Sequence, residues 1–95
     1  MILKLIISGK VQGVGFRKSV YSFVKNNKLS LVGIVRNLVS GEVEVIAKGS
    51  ETVLEVLLLF CQRGPKGSQV VTVKKEELEV WPMDLIEISE FVIHQ

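Results

Sequence analysis

Gly9-Lys-Val-Gln-Gly-Val-Gly-Phe-Arg-Lys-Ser19 sets three glycines and one arginine between an apolar run and a helical one. Upstream, Ile2 to Ser8 alternates, with Leu3, Leu5 and Ile7 on one side, which predicts a largely buried strand. Downstream, Phe16, Val20, Phe23 and Val24 fall on one stripe of a helix that ends near Asn26 and Asn27. The glycines therefore occupy a strand-to-helix turn. Such a turn aims backbone N–H groups and a helix N-terminus at whatever sits above it, and it favours an anion.

Outward from this turn the chain reads as alternating short strands and helices. Leu31–Asn37 and Glu42–Lys48 are β-rich runs joined by Leu38-Val-Ser-Gly41, and together they predict a hairpin. Ser50 is placed to cap a helix carrying Val53, Leu54, Leu57, Leu58 and Cys61, which Gly64-Pro65 stops. Gln69 to Val80 then alternates as a long strand, and Glu87 to Ile93 reads as a last one after the Trp81-Pro82 turn. The order is βαββαβ plus one strand. It predicts an α+β, ferredoxin-like sandwich: an antiparallel five-stranded sheet with two helices on one face.

At 95 residues, a single domain spanning 1–95 is expected. Twelve Lys and Arg against 10 Asp and Glu leave a net charge of +2, too weak a basic footprint for a nucleic-acid binder, while small anions fit. A single-stranded RNA surface on the sheet would also want exposed aromatic residues, where these strands offer valine, isoleucine and glutamate. Cys61 is the only cysteine, so no internal disulfide and no zinc site can form, in keeping with the cytoplasm. The N-terminal apolar run lacks a basic lead-in, and Val53 to Cys61 falls short of the roughly 20 residues that span a bilayer. No membrane association is expected.

The common nucleotide loops do not fit the glycine turn. The Walker pattern ends in Gly-Lys-Ser/Thr, but Gly13 and Gly15 are followed by Val14 and Phe16; the dinucleotide pattern needs a glycine where Lys18 stands. What remains is Gln12-Gly13-Val14-Gly15-Phe16-Arg17, short enough to wrap one phosphate-sized group with main-chain donors and ending in a guanidinium suited to paired bonds with phosphoryl oxygens.

These residues resemble the signature of the acylphosphatase family. Gly9, Val11, Gly13, Val14, Phe16 and Arg17 fill the fixed positions of its first motif, and Gly33, Val35, Asn37, Gly41, Val43 and Gly49 those of its second. The similarity continues through Gly64-Pro65 to Phe91. Ile34 stands where the family usually has an aromatic residue and Ser40 where aspartate is common, departures expected to affect packing beside the site rather than the catalytic atoms.

The resemblance implies an enzyme that hydrolyses small acyl phosphates to carboxylate and inorganic phosphate. It implies that the 12–17 loop amides and Arg17 hold the phosphate, and that Asn37 orients the attacking water. The loop itself contains no histidine, cysteine or carboxylate, so it offers neither a side-chain nucleophile nor a protein base. That suits a mixed anhydride, whose carboxylate leaves readily. No metal and no cofactor is expected. The alternative is a noncatalytic, anion-binding regulatory module of the same fold.

Among other residues, strand alternation turns Arg36 away from Asn37, and it is expected as a solvated charge. His94 is expected to be frayed, and Trp81 to be a packing anchor. Leu57 to Cys61 are core, with an apolar strip that would permit weak self-association of a monomer.

Overall fold

The computed structural model describes residues 1–94. The elements follow in the order β1 (Ile2–Lys10), α1 (Phe16–Asn26), β2 (Leu31–Asn37), β3 (Val43–Gly49), α2 (Glu51–Arg63), β4 (Gln69–Leu78) and β5 (Phe91–Ile93), with a turn of 3-10 helix at Met83–Leu85 before the last strand. The five strands form one sheet in the order β4-β1-β3-β2-β5.

Period-two patterning divides the sheet into two faces. On one, Leu3, Leu5, Ile7, Val35, Val43, Val45 and Ala47 join Phe16, Val20 and Val24 of α1 and Leu54, Leu57, Leu58 and Cys61 of α2 in the main core. Both helices thus lie on the same face. The second helix starts where expected, with Ser50 Oγ accepting from the Val53 N–H at 3.2 Å, and Gly64 ends it.

On the other face Ile34, Ile46 and Leu85 form a smaller buried cluster, flanked by Ile2, Leu78, Trp81, Ile88 and Val92. The β4–β5 connection therefore crosses the sheet as a third, thin layer. Trp81 anchors it: its indole Nε1 donates to the Leu85 carbonyl at 2.8 Å, and the Lys48 ammonium sits 4.8 Å from its ring centroid. Ile34 belongs to this layer, so its departure from the family's aromatic residue repacks the far face and not the loop.

The sheet is mixed, which corrects the antiparallel expectation. β1 pairs antiparallel with β3 and β4, and β2 antiparallel with β3, but β5 runs parallel to β2, with Gly33 opposite Phe91 and Val35 opposite Ile93. The reason is directional. β4 runs the same way as β3 and so ends at the edge of the sheet where β2 begins; a chain crossing there enters the opposite edge alongside β2. The last strand is also shorter than Glu87–Ile93, because Ile88 is held in a turn by its N–H to the Leu85 carbonyl at 3.0 Å and packs on the far-face cluster.

Candidate active site

The glycine turn sits between the end of β1 and the start of α1. Val11, 1% exposed, roots it in the core, and Phe16, also 1% exposed, drives the first residue of α1 inward. Between these two anchors the backbone must reverse in a few residues. Gly13 (φ 74°) and Gly15 (φ 77°) do so in left-handed conformations that other residues adopt only at a cost. A Cβ on either glycine would meet no atom within 4 Å, so backbone conformation and not crowding selects glycine there.

Gly15 is the N-cap of α1 and supplies no side chain to the helix end. The first bond of the helix runs from the Ser19 N–H to the Gly15 carbonyl, 2.9 Å, leaving the N–H groups of Phe16, Arg17 and Lys18 without an intrahelical acceptor. No acid occupies the first turn to neutralise the positive end of the helix.

These groups face a pocket of about 310 Å³ lined by Val11, Gly13, Gly15, Phe16, Arg17, Lys18, Asn37 and Ile93. No carboxylate, histidine or cysteine is in the lining. Among the described residues, the ion pairs involve Lys4, Lys25, Arg36, Glu44, Asp84 and Glu90, and none engages Arg17 or Lys18. Two adjacent cations and three open N–H groups converge on one concavity, an arrangement whose electrostatics favour an anion.

Asn37 enters from the opposite wall as the last residue of β2. Its Oδ1 is buried and has no hydrogen-bond partner within the chain. Such an orphaned acceptor costs about 1–3 kcal/mol unless something donates to it.

Six residues, Gln12, Gly13, Val14, Gly15, Phe16 and Arg17, were expected to hold phosphate, and the pocket brings together four of them, Gly13, Gly15, Phe16 and Arg17, with Asn37. Val14 is outside the lining and its side chain packs against the main core, a placement that leaves its backbone N–H free to serve the loop. The Gln12 side chain reaches the β2–β3 turn: its Nε2 donates to the carbonyls of Leu38 and Glu42, each at 2.8 Å. Both amide hydrogens are spent on the β2–β3 turn, so the side chain has no donor left for phosphate. Lys18 and Ile93 line the pocket without having been singled out in the sequence. Lys18 could have been found as the second cation of the helix start, whereas Ile93 arrives only through the parallel pairing of β5.

Arg36 points to the far face, as alternation requires, but it is not a solvated charge. Its Nε lies 2.6 Å from Oε1 of Glu44, which is only 6% exposed, and its Nη1 is 3.6 Å from Asp84. Lys4 approaches the other oxygen of Glu44 at 3.7 Å. His94 is not frayed: its N–H donates to the Val35 carbonyl at 2.9 Å and its Nδ1 is buried. It takes no part in lining the pocket. Among the described residues no group of three or more histidine, cysteine or acidic side chains could hold a metal, and no helix is long and apolar enough to cross a membrane.

The fold is a ferredoxin-like α+β sandwich with a cationic pocket, lined by no carboxylate, histidine or cysteine, at its first βα junction. The acylphosphatase sequence profile matches residues 3–93. The chain is 45% identical over 75 residues to an acylphosphatase of Acaryochloris marina, covering 79% of this chain and 78% of that one. It is 41% identical over 85 residues to one from a Synechococcus strain, covering 90% and 83%. In structure it is similar to the crystallographic acylphosphatase of Bacillus subtilis, with a TM-score of 0.85 at 30% identity over the whole of both chains. The chain belongs to the acylphosphatase family, and it is a hydrolase of that kind.

Proposed function

We propose that the protein hydrolyses small acyl phosphates without a metal, the phosphate being held by the loop amides and Arg17 and the water by Asn37. The observation that carries this reading is that Asn37, whose buried Oδ1 has no partner within the chain, lines the same pocket as Arg17 and the open helix N-terminus. An acceptor opposite an anion cradle suits a water that must attack the phosphorus from the side away from the leaving carboxylate.

In the proposed step the water oxygen forms a bond to phosphorus as the bond from phosphorus to the acyl oxygen breaks. The carboxylate leaves with that electron pair, and the water's proton passes to a phosphoryl oxygen of the substrate. No protein base is required, which matches a lining without carboxylate, histidine or cysteine. The protein's contribution is placement, with charge on the equatorial oxygens stabilised by N–H groups and a guanidinium already aimed at them. The backbone N–H groups of residues 12–17 and the Arg17 guanidinium supply the cradle, and the Gln12 side chain shapes it from behind.

A pocket of about 310 Å³ leaves room for a phosphate and a compact acyl group. The proposal includes action as a monomeric single domain over residues 1–95, and a cytoplasmic location. The location is supported by the lone Cys61, which is buried and needs no oxidising compartment. Weak self-association has support in the exposed Leu59 and Val56 of α2. The deciding experiment is hydrolysis of benzoyl phosphate by the purified protein in excess chelator. Acceleration over buffer is expected, and a rate equal to that of buffer would overturn the reading.

A further inference from the structure

We infer that Gln12 is a positioning residue: its amide staples the phosphate loop to the β2–β3 turn and thereby sets the separation between the cradle and Asn37. The inference rests on the proposed roles of the cradle and Asn37, and it concerns how their mutual geometry is held.

The need for a staple follows from the register. β1 and β3 pair from Ile2 opposite Lys48 to Ile7 opposite Val43, and there their pairing ends. Ser8, Gly9 and Lys10 continue along β4 alone, after a register shift between Ser8 and Gly9. Past Ile7, therefore, the backbone ladder no longer ties β1 to the middle of the sheet, and this is where the glycine loop begins. Asn37 lies on the other side of the gap, opposite Val43.

Gln12 bridges that gap with its side chain. Nε2 reaches the Leu38 and Glu42 carbonyls, 26 and 30 positions away in sequence, each at 2.8 Å. Both partners are acceptors only, so the chemistry fixes the NH₂ end of the amide between them. The same two residues close the turn, with the Leu38 N–H donating to the Glu42 carbonyl at 2.8 Å and the Gly41 N–H to the Leu38 carbonyl at 3.1 Å. Leu38 directly follows Asn37, so the staple holds the backbone one residue from the proposed water-binding group. In-line attack needs its nucleophile within a few tenths of an ångström of the right position, and a misplacement of about 1 Å can cost about a hundredfold.

A residue that acts through Asn37 has a distinct signature, since its loss should matter only while Asn37 is present. In benzoyl phosphate assays, Gln12→Met should lower kcat about tenfold or more, with KM and inhibition by inorganic phosphate changed less than about threefold. Added to Asn37→Ala, the same change should lower kcat less than about twofold further. Equal losses in both backgrounds, or an unchanged kcat in the single variant, would overturn the inference while leaving the proposed reaction standing. If Gln12→Met does not fold, Gln12→Asn enters the same cycle; it keeps the amide but is one methylene too short to reach both carbonyls.

A readout independent of turnover separates this inference from the enzyme reading. Titration of the wild-type protein with inorganic phosphate should shift both the Gly13 and Gly15 backbone resonances and the Asn37 side-chain amide. In Gln12→Met the glycine shifts should persist and the Asn37 shift should shrink. An Asn37 shift of undiminished size would count against the staple, even if no hydrolysis were seen in either protein.

Discussion

Arg36 and Asn37 are neighbours on β2 yet serve opposite faces of the sheet: Arg36 pairs with the buried Glu44 beneath the β4–β5 crossing, while Asn37 opens its side chain to the anion pocket. The strand end that presents the proposed water-binding group is thus pinned from behind by an ion pair.

The pair gives a first prediction. Glu44→Ala leaves Arg36 half-buried without its closest partner and should cost about 2–3 kcal/mol in chemical denaturation. Replacing both groups together, as Arg36→Met with Glu44→Leu, should recover most of that loss, because two apolar chains need no desolvation. A double variant less stable than Glu44→Ala would show that the pair, and not its isolated charge, is what the fold requires.

Arg17→Ala should reduce kcat/KM by about 10²- to 10³-fold, corresponding to about 3–4 kcal/mol of transition-state stabilisation, and should weaken competitive inhibition by inorganic phosphate. An inhibition constant for phosphate equal to the wild-type value would remove Arg17 from the cradle.

Asn37→Ala should separate the two halves of the site. Turnover falls by about a hundredfold while phosphate still competes, because the cradle is intact and only the water loses its acceptor. The reverse pattern, phosphate lost and turnover kept, would exchange the assigned roles.

Gly15→Ala tests the loop backbone. With φ at 77° and open space where the methyl would lie, the expected cost is conformational, about 1–2 kcal/mol, and phosphate affinity should drop with it. Wild-type stability and affinity would mean that the loop does not need its left-handed N-cap.

Burial pushes the Cys61 thiol up to about 12 from an ordinary 9.0. The folded chain therefore keeps its proton where the unfolded chain has released it, and stability declines as pH rises from about 9 towards 12, by up to about 1.4 kcal/mol per unit. Cys61→Ala should flatten that decline over the same range, at the cost of a cavity. Native protein should react with thiol reagents at pH 8 only at the rate of unfolding.

Much of this was legible in the chain. The hairpin of β2 and β3 follows from alternation around Leu38-Val-Ser-Gly41, and α2 from the Ser50 cap and the Gly64-Pro65 stop, because those signals are local. The anion loop was legible for the same reason, since its glycines, its arginine and the helix start are contiguous. The direction of β5 was not, because it depends on where β4 ends relative to β2. Nor was the partner of Arg36, which is set by cross-strand register with Glu44. Gln12 marks the boundary most clearly. Its place in the loop suggested an amide for phosphate and a side chain that shapes the turn, but that side chain's target 26 residues away is a fact of topology.

The parallel β5 also makes the site depend on residues far from its own signature in sequence. Ile93 walls the pocket, and Phe91, fully buried, joins the core against which α1 packs. A chain can therefore carry the whole loop signature and still lack a finished pocket, and loss of the β2–β5 pairing alone should weaken its affinity for phosphate.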